Sequence, residues 1–251
     1  MKIIIPLAGR GLRFRKKGFT LPKPLISVAG RPMIEWPILS IKRMFPKIKS
    51  QDFIFITLAQ YEQSHKISAF LKTIAGNECT VKLIKKVTEG PVCTVLTAAD
   101  LINTDEDMLT CDCDQYFICP EFFDQRNKAI KSDWGGLIPI YESANPAYSY
   151  VKLDTQGNAL QTAEKQVISS HAAIGLYYFT KGSHFVSAAK DMIRRNLRYN
   201  NEFYMCPLYN YLIQNGSIIR TVKTKIWTTI GTPDEANNFE KNLSNYLFSK
   251  T

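Results

Sequence analysis

"KIIIPLAGRGLRFRKKGFTLPKPL", residues 2–25, joins an apolar run to a loop of glycine and positive charge. Ile3, Ile4 and Ile5 read as a strand, since a short apolar run bounded by turn residues suits one. The loop packs Gly9, Gly11 and Gly18 among Arg10, Arg13, Arg15, Lys16, Lys17 and Lys23. Glycines let backbone N–H groups approach phosphate oxygens closely, and Arg13 and Lys23 can add fixed positive charge. Pro22 and Pro24 flank Lys23 and hold its backbone extended. A dinucleotide fingerprint would need a third glycine where Phe14 stands, and a Walker loop would need Gly-Lys-Ser/Thr. Neither pattern is met. A clamp for a polyphosphate remains, against the plainer alternative of a solvated basic loop.

Downstream, apolar runs alternate with amphipathic stretches, the pattern of an α/β fold. Residues 52–58, 80–87 and 107–111 read as strands. Ile34, Ile38, Ile41 and Phe45 share one face of a helix over 32–45, with Pro32 suiting its first turn and Pro37 bending it or shifting its start. Residues 91–102 and 119–131 are further helix candidates. After Lys131 the rhythm changes to strands at 134–142, 148–154, 158–166 and 171–180. Helices return at 181–197 and 203–215, a strand follows at 217–223, and a last helix starts with Thr232 as N-cap and Pro233 at its first position.

Three further stretches carry chemistry. In "LTCDCDQYF" (109–117), Asp112 and Asp114 form a D-x-D at the carboxyl end of a strand, where α/β sheets bind ligands. Their hard oxygens suit Mg²⁺ or Mn²⁺ on phosphates. Strand alternation would put both on one side if the strand runs that far. Solvated acids in a turn are the alternative, and Cys111, Cys113 and Cys119 lack a standard zinc spacing. In "TEGPVCTVL" (88–96), Gly90 precedes a helix start where Thr94 and backbone could read a base or a sugar. In "AEKQ" (163–166), Glu164 and Lys165 stand adjacent near a strand end.

Composition points the same way. Lys plus Arg outnumber Asp plus Glu by 32 to 22 over 251 residues, a net charge of +10, which favours anionic partners. Six cysteines form no CxxC pair, "MKIIIPLAGR" does not read as a signal peptide, and no window reads as a membrane span. A reducing cytoplasm is the expected compartment.

In sequence order, "IPLAGRGLRFRKKGFTLPKPLISVAGRPMI", "EGPVCTVL", "DCDQYF", "AEKQ", "AAIGLYYF", "NEFYMCPLYN" and "WTTIGTPDE" resemble the signature of the sugar nucleotidyltransferases, the nucleoside-diphosphate-sugar pyrophosphorylases. The branch it resembles comprises short bacterial proteins of capsule or surface polysaccharide synthesis. The resemblance implies an α/β fold, a Rossmann-like, GT-A-type mixed sheet flanked by helices. It also implies a single domain with a nucleotide-binding half (1–131) and a β-rich acceptor-binding half (132–251).

Site residues follow from the same resemblance. Leu7, Ala8, Gly9 and Gly11, with Arg13, would hold the triphosphate. Lys23 would neutralise phosphate during transfer, and Gly90 and Thr94 would lie along the nucleoside. Asp114, with Asp112, would hold Mg²⁺ or Mn²⁺. Glu164 would grip the acceptor and Lys165 its phosphate, with Gly175 under the acceptor ring and Asn201 and Glu202 also touching it.

The pattern departs from the family at Thr229, where a Trp-x-Asp motif would place a second metal-binding carboxylate. The implied partners are an NTP and a small phosphorylated acceptor, without nucleic acid or membrane, and a homo-oligomer is compatible with the pattern. Two rivals stand beside a sugar 1-phosphate nucleotidyltransferase. One is a metal-dependent glycosyltransferase using a sugar-nucleotide donor. The other is a cytidylyltransferase for a non-sugar phosphate such as phosphocholine or a phosphorylated amino acid.

Overall fold

Strand β1 (Lys2–Pro6) buries Ile3, Ile4 and Ile5 completely, so the opening apolar run is core on both faces. The computed structural model describes residues 1–247, and their contacts divide the chain into two compact units. One comprises Met1–Ile4, Thr88–Cys111 and Glu121–Lys223. The other comprises Ile5–Val87, Asp112–Pro120 and the chain from Thr224 on. Both draw on segments from either side of residue 131.

In the second unit, the chain leaves β1 through the loop of residues 7–11 into a single helical turn, α1 (Leu12–Arg15). A small hairpin follows, β2 (Ser27–Val28) with β3 (Arg31–Pro32), and then α2 (Glu35–Met44). The expected helix over 32–45 is thus corrected at its start. Pro32 belongs to the hairpin, while Pro37 sits in the first turn of α2, where its missing N–H leaves no helical bond unmade. Next come β4 (Phe53–Leu58), α3 (Ala59–His65), α4 (Ile67–Ala75) and β5 (Thr80–Ile84), with β4 and β5 parallel. A second antiparallel pair joins β7 (Gln115–Ile118) to β14 (Ile226–Thr229), ahead of α10 (Pro233–Lys241) and α11 (Leu243–Leu247).

The core of this unit collects Phe14, Ile26, Val28, Met33, Trp36, Tyr116, Ile230 and Phe239. Trp36 packs edge-on against Tyr116 and Phe239, and its indole N–H donates to Val28 O at 2.9 Å. Phe14, the residue that spoils the dinucleotide pattern, is therefore the anchor of the basic loop. At 1% exposure its ring ties α1 to the core.

The first unit is β-rich. Residues 2–4 of β1 pair in parallel with β6 (Met108–Cys111), which pairs antiparallel with β12 (Leu176–Phe179). From β12 the sheet continues through β8 (Gly136–Glu142), β11 (His171–Ala173), β9 (Ser149–Leu153) and β10 (Ala159–Glu164), antiparallel at each step. β13 (Ile219–Lys223) adds in parallel to β8. The helices are α5 (Pro91–Leu96), α6 (Ala99–Ile102), α7 (Phe122–Lys131), α8 (Gly182–Arg194) and α9 (Leu208–Gln214).

The expected continuous elements at 91–102 and 171–180 are each broken, the latter at Gly175, whose φ of 72° leaves the strand region. Together these elements make an α/β fold with a large mixed sheet flanked by helices, of the Rossmann-like kind. No helix among the described residues is long and apolar enough to cross a membrane.

Candidate active site

In the second unit the basic loop is built around one close approach. Leu7 and Ala8 are buried, and the Leu7 N–H donates to Ile56 O at 2.7 Å, carrying the ladder past the end of β1. Gly9 is exposed, and its carbonyl accepts from the Tyr61 hydroxyl at 3.4 Å. Gly11 adopts φ 62°, and a Cβ there would stand 3.2 Å from the Cβ of Lys23, so a side chain would press on the lysine. Lys23 begins a 3-10 turn, Lys23–Leu25, between the buried Pro22 and Pro24.

From there the Lys23 ammonium forms an ion pair with Asp114 Oδ2, at 15% and 21% side-chain exposure. Burial alone would push the Asp114 carboxyl up. The Lys23 charge and hydrogen bond, with Arg13 beyond, outweigh it and hold the carboxyl below its ordinary value. Burial would likewise lower the Lys23 pKa, but Asp114 wins and raises it. Both groups are therefore charged at neutral pH.

Asp114 is held from behind. Its carbonyl accepts from Ile230 N at 2.8 Å, and a Cβ on Gly231 would collide with its Oδ2. Thr229 pairs across the β7–β14 ladder with Gln115, whose side chain also takes the Trp227 indole N–H at 2.9 Å. The expected alternation of Asp112 and Asp114 along one strand is corrected. β6 stops at Cys111 and β7 starts at Gln115, so both acids lie in the intervening turn. Cys113 is pushed up to about 12, first by burial and then by the Asp114 charge. It stays a thiol and is a poor metal ligand.

Among the described residues no group of three or more His, Cys, Asp or Glu could hold a metal ion. Asp112 and Asp114 still fit Mg²⁺, which uses one or two carboxylates and fills its shell with water and phosphate oxygens. A buried, unpartnered oxygen supports that fit. Glu235 Oε2 would stand 3.5 Å from a Cβ on Gly231, the same point that Asp114 Oδ2 crowds. Two carboxylates, those of Asp114 and Glu235, thus approach the same point.

In the first unit, the loop of Gly90 and Thr94 is bolted to the segment of Asn201 and Glu202. The Phe203 N–H donates to Glu89 O at 2.8 Å, and its carbonyl accepts from Val92 N at 3.1 Å. Gly90, at φ 113°, lies so close that a Cβ would meet Phe203 N at 2.6 Å and Glu202 Cβ at 3.1 Å. Arg198 closes the same join, pairing with Glu89 at 2.6 Å while its guanidinium covers the Phe203 ring at 4.3 Å. The Thr94 hydroxyl is buried, donating to Gly90 O at 3.2 Å and lying 2.6 Å from Thr88 Oγ1.

Glu164 ends β10 and Lys165 follows it. Glu164 takes the Ser149 hydroxyl, and burial raises its pKa despite that bond and the Lys165 charge. Lys165 turns out at φ 51°, so its ammonium donates to Tyr204 Oη at 2.9 Å and lies over the rings of Tyr204 (4.4 Å) and Tyr199 (5.3 Å). Tyr204 in turn donates to Glu202 at 2.6 Å. A cavity of about 350 Å³ opens here, with Glu164, Arg198, Tyr199, Tyr204, Asn210 and Tyr211 in its wall.

The structure thus groups Gly11, Arg13, Lys23 and Asp114 in one unit, and Gly90, Glu164, Lys165 and Glu202 in the other. Gly175 lies between β11 and β12, and Asn201 in a turn at φ 65°. Gly231, Arg198, Tyr199 and Tyr204 escaped the reading of the sequence. Their only signals were a glycine after "WTTI" and the mix of base and ring in "RYNNEFY".

A family model described as nucleotidyl transferase matches residues 2–245. Among solved structures, the chain resembles a nucleoside-diphosphate-sugar pyrophosphorylase from Vibrio cholerae RC9 at TM-score 0.80 and 23% identity. That match covers 95% of this chain and 99% of the other. A candidate glucose-1-phosphate thymidylyltransferase from Bacillus anthracis gives TM-score 0.77 and 17% identity, over 100% and 98% of the two chains. At these identities the likeness is one of fold. A 43-residue stretch is 49% identical to the N-acetylmuramate alpha-1-phosphate uridylyltransferase of Neisseria meningitidis serogroup B, covering 17% of this chain and 19% of that protein.

Proposed function

We propose that the chain, which belongs to the nucleotidyl transferase family, moves an NMP group from an NTP to a sugar 1-phosphate or similar small phosphorylated acceptor. An oxygen of the acceptor phosphate attacks the α-phosphorus in line. The bond to the α–β bridging oxygen breaks, and pyrophosphate leaves with that electron pair. A phosphate monoester is already an anionic nucleophile, so no general base is required. The chain's task is to bring repelling anions together by position and charge.

The observation that carries this reading is the Lys23–Asp114 ion pair, set directly against Gly11 of the basic loop. Backbone N–H groups of residues 8–11 and the Arg13 guanidinium would hold the triphosphate, and Lys23 would meet charge developing in transfer. Mg²⁺ at Asp112 and Asp114, when bound, would neutralise phosphate oxygens. Gly90 and Thr94 would shape the nucleoside subsite. Glu164 would take acceptor hydroxyls and Lys165 the acceptor phosphate, completing a nucleotide-binding half (1–131) and an acceptor-binding half (132–251). The product would be an activated sugar for surface polysaccharide made in the cytoplasm.

The test is pyrophosphate release. Purified protein with Mg²⁺ is screened against ATP, CTP, GTP, UTP and dTTP by thermal shift, then against sugar 1-phosphates, phosphocholine and phosphorylated amino acids. Acceptor-dependent pyrophosphate release is the expected result. Sugar transfer from a sugar nucleotide without pyrophosphate would overturn it.

A further inference from the structure

A second cavity of the first unit, about 610 Å³, runs along α8 and α9 and contains none of the residues assigned to transfer. His184, Lys190, Asp191, Arg194, Arg195 and Tyr211 are in its wall. Three cations there face one carboxylate. Asp191 binds both Arg194 and Arg195, the latter at 2.9 Å, and the balance remains positive. Cations at the end of α8 have a structural use, since the last carbonyls of a helix attract them. That use does not explain two other atoms. Tyr211 is 5% exposed and its hydroxyl has no hydrogen-bond partner, and the buried His184 Nδ1 has none either. A phenylalanine would pack at position 211 without leaving a polar atom unsatisfied, so the hydroxyl is there to be met by a polar partner.

We propose that this cavity binds a small phosphate-bearing anion. The arginines and Lys190 meet its charge, the Tyr211 hydroxyl donates a hydrogen bond, and His184 lines the wall beside them. Guanidinium forks match phosphate oxygens, and the volume exceeds what a bare phosphate fills, so the ligand is a phosphorylated small molecule rather than the ion alone. Arg195 and Tyr211 also belong to the wall of the 350 Å³ cavity beside Glu164, and the Arg195 guanidinium covers the Tyr211 ring at 5.4 Å. A ligand drawing Arg195 toward itself therefore alters the neighbouring cavity directly.

The chain has three histidines, His65, His171 and His184, so histidine-selective NMR reads this site by itself. Full-length protein is titrated with inorganic phosphate and with glycerol 3-phosphate. The His184 resonance, assigned with His184→Gln, is expected to shift saturably, with glycerol 3-phosphate the tighter ligand. Lys190→Gln with Arg194→Gln should weaken binding about tenfold, and Tyr211→Phe about threefold, with thermal unfolding used to verify that both variants fold.

Lys23→Ala should leave this binding unchanged, which separates the site from the proposed triphosphate loop and keeps the two readings independently testable. A His184 signal that does not move, affinities unchanged in both variants, or tighter binding to phosphatidylglycerol vesicles than to glycerol 3-phosphate would each overturn the proposal.

Discussion

Lys23 and Lys165 each direct an ammonium toward acid groups, yet they are held in opposite ways. Lys23 touches Asp114 directly, inside a turn fixed by two prolines, with Gly11 and Gly231 so close that a side chain on either would press on the pair. Lys165 reaches Glu202 through the Tyr204 hydroxyl and rests on two aromatic faces. A direct, poorly hydrated pair is intolerant, because removing one charge strands the other. A cation on ring faces has several weak contacts and can leave them in part, each worth about 0.5–2 kcal/mol. The first arrangement suits a group that every turnover needs in one place. The second suits a side chain that must exchange partners when a ligand enters.

The sharpest way to break this contrast is Lys23→Ala. It should lower pyrophosphate release about 10³-fold, the scale of losing a preorganised charge. Lys165→Ala should act chiefly on acceptor KM. Steady-state kinetics decide, and equal effects on kcat would erase the distinction. Gly231→Ala tests the tight side without touching either charge. Its Cβ displaces the Asp114 carboxylate, so we expect about 2 kcal/mol of destabilisation, from denaturant unfolding, together with a clear fall in kcat.

Tyr204→Phe tests the looser side. It keeps the ring under Lys165 but deletes the bridge to Glu202, and should raise acceptor KM about tenfold with kcat nearly unchanged.

The smallest effect is on pH. Asp114 has a lowered pKa, so its contribution to stability is present above the unfolded carboxyl value and is lost as pH falls through the lowered one. Lys23 has a raised pKa, so its contribution holds below the ordinary lysine value and is lost as pH rises through the raised one. The pair is thus intact across neutrality. Glu164 behaves oppositely to Asp114. Burial raises its pKa, its stabilising form is the protonated one, and that contribution is lost as pH rises through the raised value. The acid limb of acceptor-dependent activity should therefore lie above the ordinary carboxylate range. Glu164→Gln should flatten it, as read from a pH profile of kcat/KM.

Much of the fold was legible because the signals were local. The apolar run of β1, the pattern of α2 and the Thr232 cap, whose hydroxyl accepts from Glu235 N at 3.2 Å, can each be read within a dozen residues. α3 and α4 were missed. α3 buries only Tyr61, and Lys66 at φ 49° breaks the apolar period between the two helices. The β7–β14 ladder was missed because its short partners are separated by more than a hundred residues, which no window captures.

The same holds for the site. Lys23 and Asp114 could be named from their motifs, but their contact, the crowding at Gly231 and the tyrosines around Lys165 exist only in space. Asp112 and Asp114 were expected on one strand because alternation was extended three residues beyond Cys111, where β6 ends.

One feature of the basic loop has a practical side. Gly11 and Lys23 hold its two ends together, Phe14 fastens its first turn, and residues 15–20 are exposed. A loop with pinned ends tolerates insertions at its tip, since closing a longer segment costs little additional entropy. The Lys16–Lys17–Gly18 tip is thus a natural attachment point for a fluorophore or a short tag, and one sited to sense the proposed triphosphate at its base.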